Sequence, residues 1–427
     1  MSRRPYVGLA LLVALGWNFL AARSVGAADA QVASSEEPSA VWNQWRGATR
    51  DGRSTAAPWA EGVGEEHLEQ VWTVPLQPSY SGPIVHGDMI FTTETVDEES
   101  ERVTAYDRNS GKLLWERSWK GAMKVPFFAR SNGSWIRATP ACDGERLYVA
   151  GIRDVLVALD AKSGEIVWQL DFVEKFKSPL PSFGFVSSPL VDGEEIYVQA
   201  GAAVMKLNKR TGEVLWSSLS DGGGMGNSAF SSPVIATIRG KRQLVVQTRE
   251  KLAGVSLEDG SEIWSQVVEA FRGMNILTPT IWSDRLFTSS YGGKAWTYEL
   301  TQADGKMSVQ QKWENKLQGY MSSPVLIDGY IYLHLRNRRF TCIEAETGEV
   351  KWTTQPFGEY WSMVAQGDRI LALDERGELL MIRANPEKFD LLSQRKISSE
   401  SAWAHLGNDG NQLFVRDLKN LTVYRWK

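Results

Sequence analysis

The hydrophobic and polar positions of this chain alternate in short runs separated by Gly-containing corners, the pattern of strands joined by tight turns. In the run Ala158-Leu159-Asp160-Ala161-Lys162-Ser163-Gly164-Glu165-Ile166-Val167-Trp168, Val157 and Leu159 alternate with Ala158 and Asp160. The Asp, Ser and Gly that follow supply side-chain-to-backbone bonds and a positive φ. Trp168 then ends the returning strand, where an indole has a large apolar area to bury.

The same Gly-to-Trp interval returns from Gly111 to Trp115, Gly212 to Trp216, Gly260 to Trp264 and Gly348 to Trp352. One hairpin with an aromatic is ordinary, but recurrence at about 40 to 50 residues marks an array of equivalent units. Each unit opens on a small residue followed by Pro: Ser81-Gly82-Pro83, Thr139-Pro140, Ser187-Ser188-Pro189, Ser231-Ser232-Pro233, Thr278-Pro279 and Ser322-Ser323-Pro324. Pro cannot donate to a ladder and suits the start of a strand, and Ser or Thr leaves room where sheets converge on an axis. The phrase therefore reads first as a packing device, with hydroxyls turned toward water in a channel.

A unit opening near Trp361 keeps Gly377 but has Met381 where Trp is expected, with its fourth strand over Leu391-Leu392-Ser393-Gln394. The last unit ends at Leu421 to Trp426, one strand short, while Leu68 to Val74 is a spare strand carrying Trp72. Pairing these two segments closes a ring and removes the open sheet edges at the seam. The expected fold is all-β: an eight-bladed β-propeller of four-stranded antiparallel blades over residues 68–427, closed by the N-terminal strand, with seven blades as the alternative. Trp72, Trp115, Trp168, Trp216, Trp264, Trp313 and Trp352 are the expected blade-to-blade docking residues.

Composition narrows the function. Of 427 residues 18 are Trp, many at repeat positions, which favours one architecture throughout. A net charge of −4, from 47 basic and 51 acidic residues, gives no basic footprint for a nucleic acid. Two separated cysteines, Cys142 and Cys342, exclude a disulfide framework and a four-thiolate zinc site. His67, His86, His334 and His405 show no metal-ligand spacing, no Gly-x-Ser-x-Gly elbow occurs, and Gly222-Gly223-Gly224 lacks the Lys of a phosphate loop. The acidic run Asp97 to Glu101 reads as a solvated hairpin tip.

Residues 1–30 read as a signal peptide: Arg3 and Arg4 precede an apolar stretch from Val7 to Ala22, with cleavage after Ala27 or Ala30. That stretch is shorter than the roughly 20 residues a span needs. Ser2-Arg3-Arg4-Pro5-Tyr6-Val7 loosely resembles a twin-arginine signal, so the export route stays open between the two systems. No Cys lies near the cleavage region, so a soluble, exported, periplasmic protein is expected, not a lipoprotein, with no transmembrane segment in the mature chain and a monomeric state. Residues 31–67 hold a polar segment and an arm, Trp42 to Arg53, whose two Trp are expected to pack on the main body; a ligand-stacking role is the alternative.

The connections before each first strand should gather on one face around the channel mouth. They are rich in aromatic residues, Arg, Asn and Gly, the composition of a recognition surface. Arg130, Trp135, Phe185, Asn227, Arg272, Tyr320 and Trp361 are the candidate interaction residues, set against a simpler reading in which the aromatics plug the channel.

The phrase at Ala158 to Trp168 resembles the tryptophan-docking motif of the pyrroloquinoline-quinone (PQQ) repeat propellers, and the resemblance covers residues 68–427. It implies the fold and leaves two functional branches open. Quinoprotein alcohol dehydrogenases hold PQQ with calcium between carboxylate and amide ligands, use an Asp base and have a vicinal disulfide; adjacent cysteines are absent here, and no ligand set can be carried over. The BamB-like outer-membrane assembly propellers are non-catalytic and bind a partner through surface loops, though this chain lacks their lipidated Cys. The resemblance therefore implies an exported propeller that scaffolds a protein partner, with no catalytic residue, metal or cofactor expected; a quinoprotein dehydrogenase or its relic, with PQQ and calcium, is the alternative.

Overall fold

The computed structural model describes residues 42–55, 58–221 and 228–427; residues 1–30, expected to form a signal peptide, residues 31–41 and Asn227 lie outside these. The short alternating runs form eight four-stranded antiparallel sheets. Seven are built in chain order; blade one, for example, runs through Ile84–His86, Met89–Val96, Ser100–Asp107 and Leu113–Lys120. The eighth is completed across the seam, where Leu68–Pro75 pairs with Asn420–Trp426 from Leu68 opposite Trp426 to Pro75 opposite Asn420. The architecture is thus an eight-bladed propeller, and the seven-blade alternative falls.

The second and third strands of each blade carry the core. Val149 and Val157 of blade two pack with Phe91 and Val103 of blade one, and the other face of the same sheet meets Ile196 and Val198 of blade three. Outer strands are half exposed, as in the exposed–half-buried alternation of Leu113–Lys120.

Each blade has a bulge between its third and fourth strands beside the docking position. Ala158 faces Trp168 and Leu159 faces Ile166, so Val167 is the extra residue. Such a bulge turns its neighbour out of the local ladder, and here it directs the indole to the next blade. Trp72 donates to the Arg108 carbonyl at 3.0 Å, Trp115 to Ala161 at 3.1 Å, Trp168 to Lys209 at 3.0 Å, Trp216 to Leu257 at 3.4 Å, Trp313 to Ala345 at 3.0 Å and Trp352 to Asn385 at 2.8 Å. In the first five pairs the acceptor lies three residues before the next blade's Gly.

Trp264 departs from the rule. Blade five's outer hairpin is lengthened, Ala295–Ala303 with Lys306–Asn315, and offers no Gly corner at that height. Trp264 instead turns to Gln243 of its own sheet, at 2.6 Å.

Blade seven corrects the sequence alignment. Gly377 forms the turn between its second and third strands, and Met381 belongs to the third strand, Glu378–Arg383. The residue opposite Met381, where Trp stands elsewhere, is Ser393. The vacated volume is filled from the N-terminal side: Trp59 packs into the core of blades seven and eight, stacks on Trp426, and lies near Val63, whose N–H donates to Ser393 Oγ.

The acidic hairpin tip is also not uniform. Asp97 and Glu98 form the turn, but Glu101 is buried and accepts from Trp119 Nε1 at 3.0 Å and the Ile152 N–H of blade two at 2.7 Å. Its role is to join blades.

Candidate functional site on the propeller axis

The small residues before each first strand form a collar around the axis. Gly82 N donates to Thr139 Oγ1, Thr139 N to Ser188 Oγ, Ser188 N to Ser232 Oγ and Ser232 N to Thr278 Oγ1, at 2.9–3.0 Å, linking blades one to five in turn. Across blades six to eight the direction reverses: Trp361 N donates to Ser322 Oγ and Leu406 N to Ser362 Oγ. The expectation of hydroxyls simply facing water is therefore incomplete. Each takes a backbone N–H from a neighbouring blade, satisfying donors that strand pairing does not reach.

The arm closes one end of the axis. Its backbone accepts from Val85 at Trp42 and from Cys142 at Asn43, both 2.8 Å, and it pairs with Ala365 through Gly52 and Ser54. Arg50 donates to the Pro189 and Ser188 carbonyls at 2.7 and 2.9 Å, Arg46 to Pro324 at 2.5 Å, and Arg53 to Leu326 at 2.8 Å. One short segment thus ties together the inner strands of five blades. Trp42 is buried as expected, but its partner Trp45 is not: it forms part of the floor of a cavity.

That cavity has a volume of about 770 Å³. Thr139, Ser188, Ser232, Thr278 and Ser323 line its waist, and its upper wall is aromatic, with Tyr80, Phe183, Phe230, Tyr360 and Trp403 among the contributors. Tyr360 and Trp403 stack in parallel at 5.6 Å, and Tyr80 packs against both Trp403 and Trp135. At the mouth Phe127, Phe128 and Phe271 are 80%, 60% and 50% exposed. The aromatics therefore surround an open space and do not plug it.

The charged groups here are of one sign. Arg137 and Arg272 line the cavity, and among the described residues no Asp or Glu does. Arg46 and Arg50 flank the Trp45 ring, each 5.5 Å from its centroid. Burial lowers the Arg50 pKa to about 9 and the Arg46 pKa to about 10, the latter partly offset by Asp51. Burial, aided by the charge of Arg46, lowers His405 to about 3, so its ring is neutral; its Nδ1 lies 3.2 Å from Ser362 Oγ. His334, lowered by burial to about 4, sits equivalently beside Ser322.

The candidate interaction residues divide. Arg272 and Tyr320 line the mouth, Tyr320 against Tyr291 at 5.0 Å. Arg130 is exposed on the short 3-10 helix Phe127–Asn132, and Trp135 is half-buried against Tyr80. Phe185 and Trp361 are not surface residues. Phe185 is buried on Phe172 at 6.0 Å, and Trp361 is fully buried, donating to Asp374 and packed between His334, Phe340 and Phe357. Both begin the descent from loop to strand, where the side chain turns into the sheet interface. Trp45 was named in the sequence with its packing and ligand-stacking readings, while His405 as a cavity residue and the Tyr80–Trp403–Tyr360 cluster were missed, having no local signal.

Residues 99–354, more than half of the chain, match the family described as outer membrane protein assembly factor BamB. The chain belongs to the BamB family. It is 23% identical over 325 residues to outer membrane protein assembly factor BamB of Moranella endobia (strain PCIT), covering 74% of this chain and 78% of that one. Among solved structures, BamB from Moraxella catarrhalis superposes with a TM-score of 0.61 at 14% identity, covering 84% of this chain and 98% of that one. The quinohemoprotein alcohol dehydrogenase of Comamonas testosteroni shares the fold at a TM-score of 0.54 and 11% identity, over 90% of this chain and 80% of that one.

A calcium–PQQ pair needs hard oxygen ligands, carboxylates above all, on the axis. Among the described residues the cavity wall of this BamB-family propeller supplies no carboxylate. Among the described residues no group of three or more His, Cys, Asp or Glu is placed to hold a metal, and both cysteines are free and buried. The residues present do not fit that cofactor pair. Among them there is also no helix long and apolar enough to cross a membrane.

Proposed function

We propose that this chain is an exported, non-catalytic propeller of the periplasm, monomeric and free of cofactor, that holds a protein partner on its loop face during outer-membrane protein assembly. The observation that carries the reading is the cluster of exposed Phe127, Phe128 and Phe271 with Arg130 and Arg272 around the axial mouth. Large apolar side chains exposed together beside Arg are characteristic of interface hot spots. The assembly role comes from the family, and the rigid ring supplies a platform on which loops from several blades meet.

The test is capture of envelope proteins by the purified chain and by a Phe128→Ser, Phe271→Ser, Arg272→Ser variant. The reading predicts a discrete partner from the assembly system, lost in the variant while the melting temperature holds. Incubation with PQQ and calcium, followed by dye-linked alcohol oxidation, tests the dehydrogenase reading; dye reduction would overturn the non-catalytic one.

A further inference from the structure

We propose that residues 42–55 are a releasable strap: a peptide ligand carried by the chain itself, docked across the inner strands at the end of the axis away from the loop face, and able to leave while all eight blades stay closed.

The groove it occupies is made by the ring. An inner strand has no neighbour on its axial side, so its backbone groups there are open to an added segment. Val85, Cys142 and Ala365 are fixed by their own blades, opposite Ile90, Leu147 and Ile370. The strap completes them much as a partner strand would. Trp42, Asn43 and Gly52 accept from the Val85, Cys142 and Ala365 N–H groups in turn. The Asn43 amide donates back to the Cys142 carbonyl at 2.7 Å, and Gln44 Oε1 accepts from the Val191 N–H at 3.3 Å.

The strap also holds its own shape. Gly47 N donates to the Gln44 carbonyl, Arg50 N to Gly47 and Gly52 N to Arg46, at 3.0–3.1 Å, and the Trp42 ring lies against Gly47. The ring does not need it for closure, because the seam between Leu68–Pro75 and Asn420–Trp426 is made by other residues, with Trp59 packed beside it.

Two terms oppose docking. Arg46 and Arg50 are buried with no ion pair among the described residues, and the Nε of each lacks a partner. Asp51 offers Arg46 its backbone carbonyl. A guanidinium taken out of water without a carboxylate is destabilising. Both arginines also have left-handed backbones, with φ of +61° and +60°, a region that residues with a Cβ enter only against steric resistance. The docked strap therefore rests on a narrow balance, and opens before the blades that carry it.

This inference does not depend on partner capture, which is scored at the loop face, so either can fail alone. Hydrogen exchange on the intact chain tests release. The Val85, Cys142 and Ala365 amides, covered by the strap, should exchange together and at least about tenfold faster than ladder amides such as Val157 and Leu371. Equal protection would overturn the proposal. A specific protease site inserted after Thr55, which is exposed, tests the groove. Once the folded chain is cut, a labelled peptide of residues 42–55 should exchange into one saturable site while the ring keeps its cooperative melt. The same peptide with Arg50→Ala should bind about tenfold more weakly. Exclusion of the labelled peptide, equal binding of the two peptides, or unfolding of the ring on cutting would each overturn it.

Discussion

The indole of Trp168 lies on Gly212 of the following blade: its N–H donates to the Lys209 carbonyl at 3.0 Å, and its ring stands 2.8 Å from where a Cβ on Gly212 would be. Gly212 also has φ of +72°. The corner thus needs glycine twice, for its left-handed backbone and for the ring above it. The recurrent interval in the sequence joins two different locks: each Gly receives the preceding blade's Trp, and each Trp but Trp264 serves the next.

Replacing Trp168 by Ala should cost about 3–5 kcal/mol through loss of a large aromatic contact. Gly212→Ala should cost roughly 2–4 kcal/mol, from left-handed strain plus overpacking. Gly305→Ala is the control. Its φ is +75° but nothing lies within 4 Å of the added carbon, so about 1 kcal/mol is expected from strain alone. Denaturant melts of the three variants check the ranking.

The seam makes a second prediction. Thr73 and Thr422 are cross-strand partners with hydroxyls 2.9 Å apart. Thr73→Cys combined with Thr422→Cys should form a disulfide on oxidation and raise stability by about 2–4 kcal/mol, because it closes nearly the whole chain into one loop. Reduction should return the melting temperature to that of the parent. Faster migration on a non-reducing gel reports the bond.

The pH dependence should have two opposed parts. His334 and His405 have folded pKa values lowered from 6.5 to about 4 and about 3. Their contribution is complete above 6.5 and is lost as pH falls below it toward the folded values, roughly 2 kcal/mol per histidine by pH 5. Glu101 is raised by burial to about 8, against its bonds from Ile152 and Trp119. Its contribution is complete below about 4.5 and lost as pH rises through 8. His405→Gln should flatten the acidic limb of a melting-temperature profile, and Glu101→Gln, which keeps an acceptor, should flatten the alkaline limb.

The ring was legible in the sequence because its signal is repeated. Gly164 and Trp168 alone describe a hairpin, but five intervals together with the unmatched Leu68 strand imply eight sheets and the place where they close. The exceptions were not legible, because each depends on a neighbour distant in sequence. Gln243 captures Trp264 only because blade five's hairpin is long, and Ser393 holds the place of a Trp only because Trp59 fills the space. At the site, Arg272 and Tyr320 could be placed from loop position. The burial of Phe185 and Trp361 could not, since one residue of strand offset decides which way a side chain turns. The cavity itself is assembled from residues as far apart in sequence as Trp45 of the arm and His405 of the last blade, and no local pattern encodes its charge.

The most direct test of the account is site-specific photo-crosslinking in living cells, with the photoreactive side chain placed at position 128 on the loop face or at position 215 on the exposed outer strand of blade three, where Leu215 stands. The account predicts a discrete adduct with an outer-membrane assembly protein from position 128 and none from position 215. An adduct from position 215 alone would contradict it.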